Sequence, residues 1–423
     1  MTDTIFALSS GALPAGIAVL RISGPKAGAL LADLSGDLPP PRMASLRVLR
    51  DGDVMLDRAL VLWLPGPATV TGEDLAELHC HGGRAVVAAV ETALAATDGV
   101  RKAEAGEFTR RAFLNGRIDL AEAEGLADLL TAETELQRRG AMGSVGGSLS
   151  KEVEGWRTTI LQLSAQVEAA IDFSDEDDVD TIPASVASEG AVLSAEIFAA
   201  LNRPFAERLR DGVRVVLAGP PNAGKSSLFN AMLNEGAAIV SAEAGTTRDV
   251  IERPVAIRGV PFVLIDTAGL RTDSAGEIER IGIDKAQAEM QRADIILWLG
   301  AEGEGPLDAL EIETKSDLNR HVKTVPAHMV SAVTGQGLEN LLEGLVMRAG
   351  ALLPSGDVPA YNQRQRGALM MVIAAFKDFA ELNDPLLVAE ELRYARRALD
   401  RLLGRESTEE MLDALFGRFC IGK

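Results

Sequence analysis

Gly219-Pro220-Pro221-Asn222-Ala223-Gly224-Lys225-Ser226 follows the apolar run Val213-Arg214-Val215-Val216-Leu217-Ala218 and precedes a helical pattern from Ser227 to Leu233. Strand, glycine-rich turn and helix form the context in which G-x-x-x-x-G-K-[ST] cradles phosphate. The glycines let backbone N–H groups of Asn222, Ala223, Gly224 and their neighbours converge on phosphate oxygens, and the helix N-terminus adds a favourable dipole. Lys225 is placed to neutralise β/γ-phosphate charge, and the Ser226 hydroxyl to ligate Mg²⁺. Alone, such a stretch is also read as a plain glycine-rich turn.

Four further elements follow in order. Gly245-Thr246-Thr247-Arg248-Asp249 offers the Thr247 hydroxyl to Mg²⁺ and the γ-phosphate. Asp266-Thr267-Ala268-Gly269 follows the strand-like run Phe262–Ile265, so that Asp266 can hold Mg²⁺ through water and the Gly269 N–H can sense the γ-phosphate. Thr314-Lys315-Ser316-Asp317 resembles N-K-x-D, whose aspartate accepts from guanine N1–H and N2–H₂. Adenine lacks that donor pair, so Asp317 points to GTP over ATP and disfavours an ATPase or kinase. Ser331-Ala332 fits the last base-contacting loop. Together these define a guanine-nucleotide hydrolase domain.

Two positions bear on mechanism. Leu270 stands where many small GTPases carry a water-orienting glutamine, so that group must come from elsewhere. Asn222 puts a neutral oxygen beside the phosphates, which suits a monovalent cation supplying transition-state charge; a turn-forming asparagine is the other reading.

Outward from the loop, strands and helices alternate to about Gly350. Val260–Ile265, Ala293–Leu299 and Ala327–Ser331 are strand candidates, and the alternation predicts a parallel α/β sheet. Helices are expected on both flanks. Leu149, Val153, Trp156, Ile160, Leu163, Val167 and Ala170 form an apolar stripe before the phosphate loop, and Asn362–Leu382, Leu386–Leu403 and Glu409–Phe416 follow the domain. The acidic run Asp172–Asp178 reads as a charged turn, with a cation site as the alternative. The simplest architecture inserts the α/β domain into a helical one.

The first 118 or so residues differ in character. Ile17–Ile22 and Arg58–Leu64 read as strands and Ala85–Ala96 as a helix, an α+β domain. The expected segments are 1–118, 119–211 (helical, first part), 212–350 (GTPase) and 351–423 (helical, second part). His79-Cys80-His81 lies on a strand-like stretch where neighbours face opposite ways, which disfavours joint metal ligation.

The 423 residues carry 42 Lys+Arg against 62 Asp+Glu, a formal charge of −20, which disfavours a whole-surface electrostatic grip on nucleic acid or anionic lipid. Two cysteines, Cys80 and Cys420, exclude a disulfide framework. Met1-Thr2-Asp3-Thr4 lacks the basic region of a signal peptide, and no apolar run reaches the roughly 18 residues of a membrane span. A cytoplasmic protein with no membrane partner is expected.

Outside the common GTPase motifs, several stretches resemble the bacterial tRNA-modification GTPase family known as MnmE or TrmE, nearly end to end. They are Leu20-Arg21-Ile22-Ser23-Gly24, Thr71-Gly72-Glu73-Asp74, Glu77-Leu78-His79-Cys80-His81-Gly82-Gly83, Gly106 to Asn115, Arg280-Ile281-Gly282-Ile283 and Cys420-Ile421-Gly422-Lys423. The resemblance implies an N-terminal α+β domain that binds 5-formyl-tetrahydrofolate, or a related one-carbon tetrahydrofolate, and forms a homodimer. It implies a helical domain carrying an inserted Ras-like P-loop GTPase domain, activated when two such domains meet across K⁺. With an FAD-dependent partner (MnmG, also called GidA), the family installs an aminomethyl or carboxymethylaminomethyl group on C5 of the tRNA wobble uridine.

Carried over residue by residue, the resemblance implies K⁺ at Asn222, Ser241, Glu243 and Thr246, Mg²⁺ at Ser226 and Thr247, and Glu279 as the water-orienting group that compensates for Leu270. It implies folate contacts from Arg21, Glu77, Arg117 and Lys423, each of which also reads singly as a surface salt-bridging group. Cys420 resembles the family's reactive thiol; a structural cysteine is the alternative. Thr314 departs from the usual asparagine and Arg117 from the commoner lysine. The acidic total is compatible with tRNA if the RNA is held together with the flavoprotein. The competing class is a regulatory GTPase switch in ribosome assembly, which has no need of the N-terminal segment or of Cys420–Lys423.

Overall fold

The computed structural model describes residues 3–172, 182–239, 251–267, 277–318, 323–354, 359–377, 379–382, 384–406 and 408–423, with the backbone alone for 236–239, 251, 277–284 and 380. Ser241, Glu243, Thr246, Thr247, Ala268, Gly269, Leu270 and the acidic run from Phe173 to Asp178 lie outside the described residues, as does the side chain of Glu279. The chain groups into two compact units, 1–127 with 400–423, and 128–399. The segment 400–423 thus groups with the N-terminal residues, whereas the sequence reading places it in the helical part.

In the first unit, strands β1 (Thr4–Leu8), β2 (Ala15–Ser23), β3 (Ser45–Asp51), β4 (Val54–Leu64), β5 (Leu75–Gly82) and β6 (Val100–Lys102) form one sheet in the order β3-β4-β5-β2-β1-β6. All neighbours are antiparallel except β1 and β6. Helices α1 (Ala27–Ser35) and α2 (Arg84–Ala95) cover one face, packing Leu30, Leu31, Val87 and Val90 on Leu20, Ile22, Leu78 and Cys80. Because strand side chains alternate, the same strands turn Arg21, Glu77 and His79 to the other face. There α3 (Glu107–Leu114) seats Phe108 against Ile5 and Ala7, and α4 (Leu120–Thr131) follows it.

The second unit opens on α5 (Glu135–Val145), whose start is fixed by a capping box between Thr134 and Gln137. In α6 (Ser148–Asp172) the expected stripe is buried from Leu149 to Val167, and Ala170 is half-exposed. Next come α7 (Ala184–Leu201) and α8 (Ala206–Asp211). By length and composition alone Ala184–Asp211 could cross a membrane, although Glu189 and Glu196 interrupt its apolar run. Val186, Leu193, Ile197 and Ala200 are buried in a helix that contacts α6, while Val192 and Phe198 are exposed.

The α/β part comprises β7 (Val213–Ala218), α9 (Lys225–Gly236), β8 (Ala237–Ile239), β9 (Ile251–Ile257), β10 (Val260–Asp266), α10 (Glu277–Arg292), β11 (Ile295–Trp298), β12 (Leu310–Glu313), β13 (His328–Met329) and α11 (Leu338–Leu352). The strand order is β13-β12-β11-β7-β10-β9-β8. The expected parallel sheet is corrected to a mixed one, because β9 runs antiparallel to both β10 and β8. The cause is a two-residue hairpin at Arg258-Gly259, with φ of 51° and 81°, the paired positive angles of a type I′ turn.

Past this domain, α12 (Gln363–Phe376) begins at a second capping box, Asn362 with Gln365. The single helix expected to Leu382 ends at Phe376. Phe379 instead starts a 3₁₀ turn, its ring 4.8 Å from that of Phe376 and close against Gly190. After α13 (Pro385–Leu402), α14 (Glu409–Phe416) returns to the first unit and packs Leu412 and Phe416 with Leu120 and Phe113.

Candidate functional site

The phosphate loop leaves the buried end of β7 and enters α9 with Asn222 in the left-handed region (φ 60°) and Gly224 at φ 94°, where a side chain would be strained. Lys225 is buried, and its ammonium donates to Gly219 O at 2.9 Å and Pro220 O at 2.8 Å. Ser226 Oγ donates to Asp266 Oδ2 at 2.6 Å, and Asp266 is itself buried at the end of β10. A hydroxyl and a carboxylate meeting beside a phosphate loop are hard oxygen donors that fit Mg²⁺. Thr267 Oγ1 donates to Leu217 O at 2.8 Å, bracing the Asp266 turn against β7.

The guanine-reading segment is tied to the same loop. Thr314 Oγ1 donates to Ala223 O at 2.7 Å, and the Lys315 ammonium to Asn222 O at 2.9 Å. A cleft of about 280 Å³ opens beside them, lined by Gly224, Ser227, Thr314, Lys315, Asp317, Ala332 and apolar side chains that include Leu228, Leu318 and Val333. Among the sequence-selected residues, Ser331 does not line it. That side chain is fully buried and accepts from Thr334 N–H, holding the loop in shape.

The candidate folate residues lie in the first unit. Arg21 and Glu77 are direct cross-strand partners, and Arg21 Nε and Nη2 both donate to Glu77 Oε1, at 3.1 and 2.9 Å. The Arg21 guanidinium lies 5.8 Å from the centre of the Phe108 ring, and Phe108 N–H donates to Lys423 O at 3.2 Å. Phe108 thus links the Lys423 backbone to the Arg21–Glu77 pair. Arg117 donates to Thr69 O at 3.1 Å. The tail is fixed at Ala105, which pairs with Ile421, and at Ser9, whose hydroxyl donates to Gly422 O at 2.9 Å. Sequence reasoning did not single out Phe108 and weighed His79 only as a metal ligand; the His79 Nε2 is 3.3 Å from Glu77 Oε2. Phe108 lies within a quoted stretch, but 87 positions separate it from Arg21, so only the fold joins them.

The two cysteines divide. Cys80 packs in the core, and burial first, then the Asp57 charge, push its thiol up to about 12. Cys420 is exposed and free, the arrangement an available thiol needs. His79 turns to Glu77 and His81 to Asp57, and among the described residues no group of three or more His, Cys, Asp or Glu side chains could hold a metal ion.

A phosphate loop, an Mg²⁺-type Ser–Asp pair with its carboxylate buried and a Lys–Asp base-reading segment on a mixed α/β sheet define a P-loop GTPase. The profile described as "MnmE helical domain" matches residues 120–420, and that of "GTP-binding protein TrmE N-terminus" matches 4–117. Proteins named tRNA modification GTPase MnmE from Novosphingobium aromaticivorans and Erythrobacter litoralis are 58% and 59% identical over the full length of both chains. Among solved structures, the G domain of the T. maritima FeoB iron transporter aligns with 32% of this chain and 98% of its own at 26% identity, with a TM-score of 0.23. The chain belongs to the MnmE (TrmE) family of tRNA modification GTPases.

Proposed function

We propose that this protein couples GTP hydrolysis to modification of the tRNA wobble uridine, adding an aminomethyl or carboxymethylaminomethyl group at C5 together with an FAD-dependent partner. The one-carbon unit comes from a formyl-tetrahydrofolate bound by Arg21, Glu77, Arg117 and Lys423. The segments 1–118, 119–211, 212–350 and 351–423 serve as folate-binding and dimerisation domain, helical scaffold, GTPase and scaffold completion. The observation that carries this reading is the segment Cys420–Lys423 fastened to Ser9 and to Phe108, whose ring lies against Arg21 of the Arg21–Glu77 pair, a construction that a plain GTP switch does not need. A carboxylate suits a pterin's N–H donors, and cations suit its glutamyl tail.

Mass analysis of tRNA nucleosides from a deletion strain tests the reading. The wobble modification should disappear and return with the intact gene; unchanged wobble uridines would reject it.

In the GTPase part, Lys225 contacts the phosphates, and Ser226 and Thr247 hold Mg²⁺. Asn222, with Ser241, Glu243 and Thr246, holds K⁺ as two GTPase domains meet, and Glu279 orients the water. The left-handed turn at Asn222 lies within the phosphate loop, which puts this residue next to the phosphate site. GTP turnover should then rise by roughly ten-fold or more in K⁺ over Na⁺ at equal ionic strength, on the scale of a well-placed transition-state charge. Equal steady-state rates in the two salts would remove K⁺ from the mechanism.

A further inference from the structure

Thr314 makes one hydrogen bond as donor, and that bond decides what the cleft can read. A threonine hydroxyl carries a single proton. Here it goes to Ala223 O at 2.7 Å, on the phosphate loop itself. Toward the cleft the Thr314 side chain therefore offers oxygen lone pairs and a methyl group, with no O–H left to give. An asparagine at this position carries two N–H protons, one for the loop carbonyl and a second for a ligand.

The geometry says which part of the base meets Thr314. With its N1–H and N2–H₂ edge at Asp317 and its ribose leading to phosphates at Lys225, a guanine lays its imidazole ring on the phosphate-loop side. Thr314 is on that side: it lines the same cleft as Asp317, is bonded to Ala223, and its Oγ1 is 3.5 Å from where a Cβ on Gly224 would stand. Guanine N7 is an acceptor only. Two acceptors facing each other gain nothing.

We propose that this GTPase identifies guanine by the N1/N2 edge alone and leaves N7 unread, with Thr314 the residue that sets this tolerance. Guanine nucleotides altered at position 7 are then ligands on a par with GTP. The inference rests on Asp317 as the reader of the base.

Competition against a fluorescent GDP, on the full chain with Mg²⁺, tests it with GTP, 7-deaza-GTP and inosine triphosphate. The parent protein should bind 7-deaza-GTP within about two-fold of GTP, and Thr314→Asn should prefer GTP by roughly five-fold, the worth of one neutral hydrogen bond. A parent that loses five-fold or more on 7-deaza-GTP while inosine triphosphate is also weakened overturns the proposal and leaves Asp317 as the reader. Inosine triphosphate lacks the 2-amino group, so its binding as well as GTP means that the base does not meet Asp317, and the proposal falls with that reading. A Thr314→Asn protein that binds nucleotide without preference overturns it too. If that variant does not fold, the parent comparison decides.

Discussion

Lys225→Ala should lower kcat for GTP hydrolysis by about 10²–10³-fold, the usual loss when one preorganised charge on the reacting centre is removed. The ammonium is buried at the mouth of the phosphate loop and donates to Gly219 O and Pro220 O, so the side chain is already aimed along the loop. Binding a triphosphate exchanges those neutral carbonyls for anionic oxygens, and a charge-assisted bond is roughly twice as strong as a neutral one. Phosphate release under saturating GTP measures the effect, with thermal unfolding as a control for folding. A variant with folded-protein stability and a rate within about three-fold of the parent would show that the phosphates do not meet Lys225.

The second large effect is expected at the tail. Gly422 has φ 93°, and a Cβ there would stand 2.2 Å from Leu8 O, a backbone atom that cannot swing aside. Gly422→Ala should therefore release the tail from the sheet. The bonds from Ser9 to Gly422, from Phe108 N–H to Lys423 O and from Gly106 N–H to Cys420 O go with it. Formyl-tetrahydrofolate binding should weaken by roughly ten- to a hundred-fold, the worth of the charged contact that Lys423 supplies. Intrinsic GTP hydrolysis should change by less than about two-fold, since the bonds lost all join residues of the first unit. Gly36→Ala separates strain from collision. Gly36 also has positive φ, 84°, but open space around it, so only about 1 kcal/mol of backbone strain is expected and folate binding should hold. Isothermal titration with folate and denaturant unfolding of both variants read the contrast; equal behaviour would show that the tail is not what holds the ligand.

Much of the GTPase part was legible because its signals are local. The strand into the phosphate loop, the helix out of it and the Lys315–Asp317 pair each sit within a few residues of the group they position. The strands β9 and β12 were not. Pro254 interrupts β9, and a proline argues against an inner strand; here it lies one residue beyond the last described pair with β8, Ile239 with Val255. β12 is Leu310-Glu311-Ile312-Glu313, too short and too charged to stand out. Its Glu313 is buried because it accepts from Lys323 N–H, a partner ten positions on. In the first unit, alternation marked β2 and β4, but the pairing of Arg21 with Glu77 depends on strand register across 56 positions, and the seat of Lys423 on Phe108 on a still longer closure. Composition carries no record of either. The resemblance supplied those residues, and the fold supplies the contacts that join them.

The fastening of Gly422 to Ser9 joins positions 413 apart in the chain. A ribosome adds roughly 5–20 residues per second, so the first strands emerge roughly 20–80 seconds before the segment that closes against them. During that interval the nascent N-terminal sheet lacks both α14 and the tail, while the whole GTPase part is made and can fold. A chain broken off between the end of α11 at Leu352 and residue 420 would therefore carry a nucleotide-hydrolysing part without the tail seated on its N-terminal sheet. Seating of the tail on Ser9 and Phe108 thus reports that translation has reached residues 422 and 423.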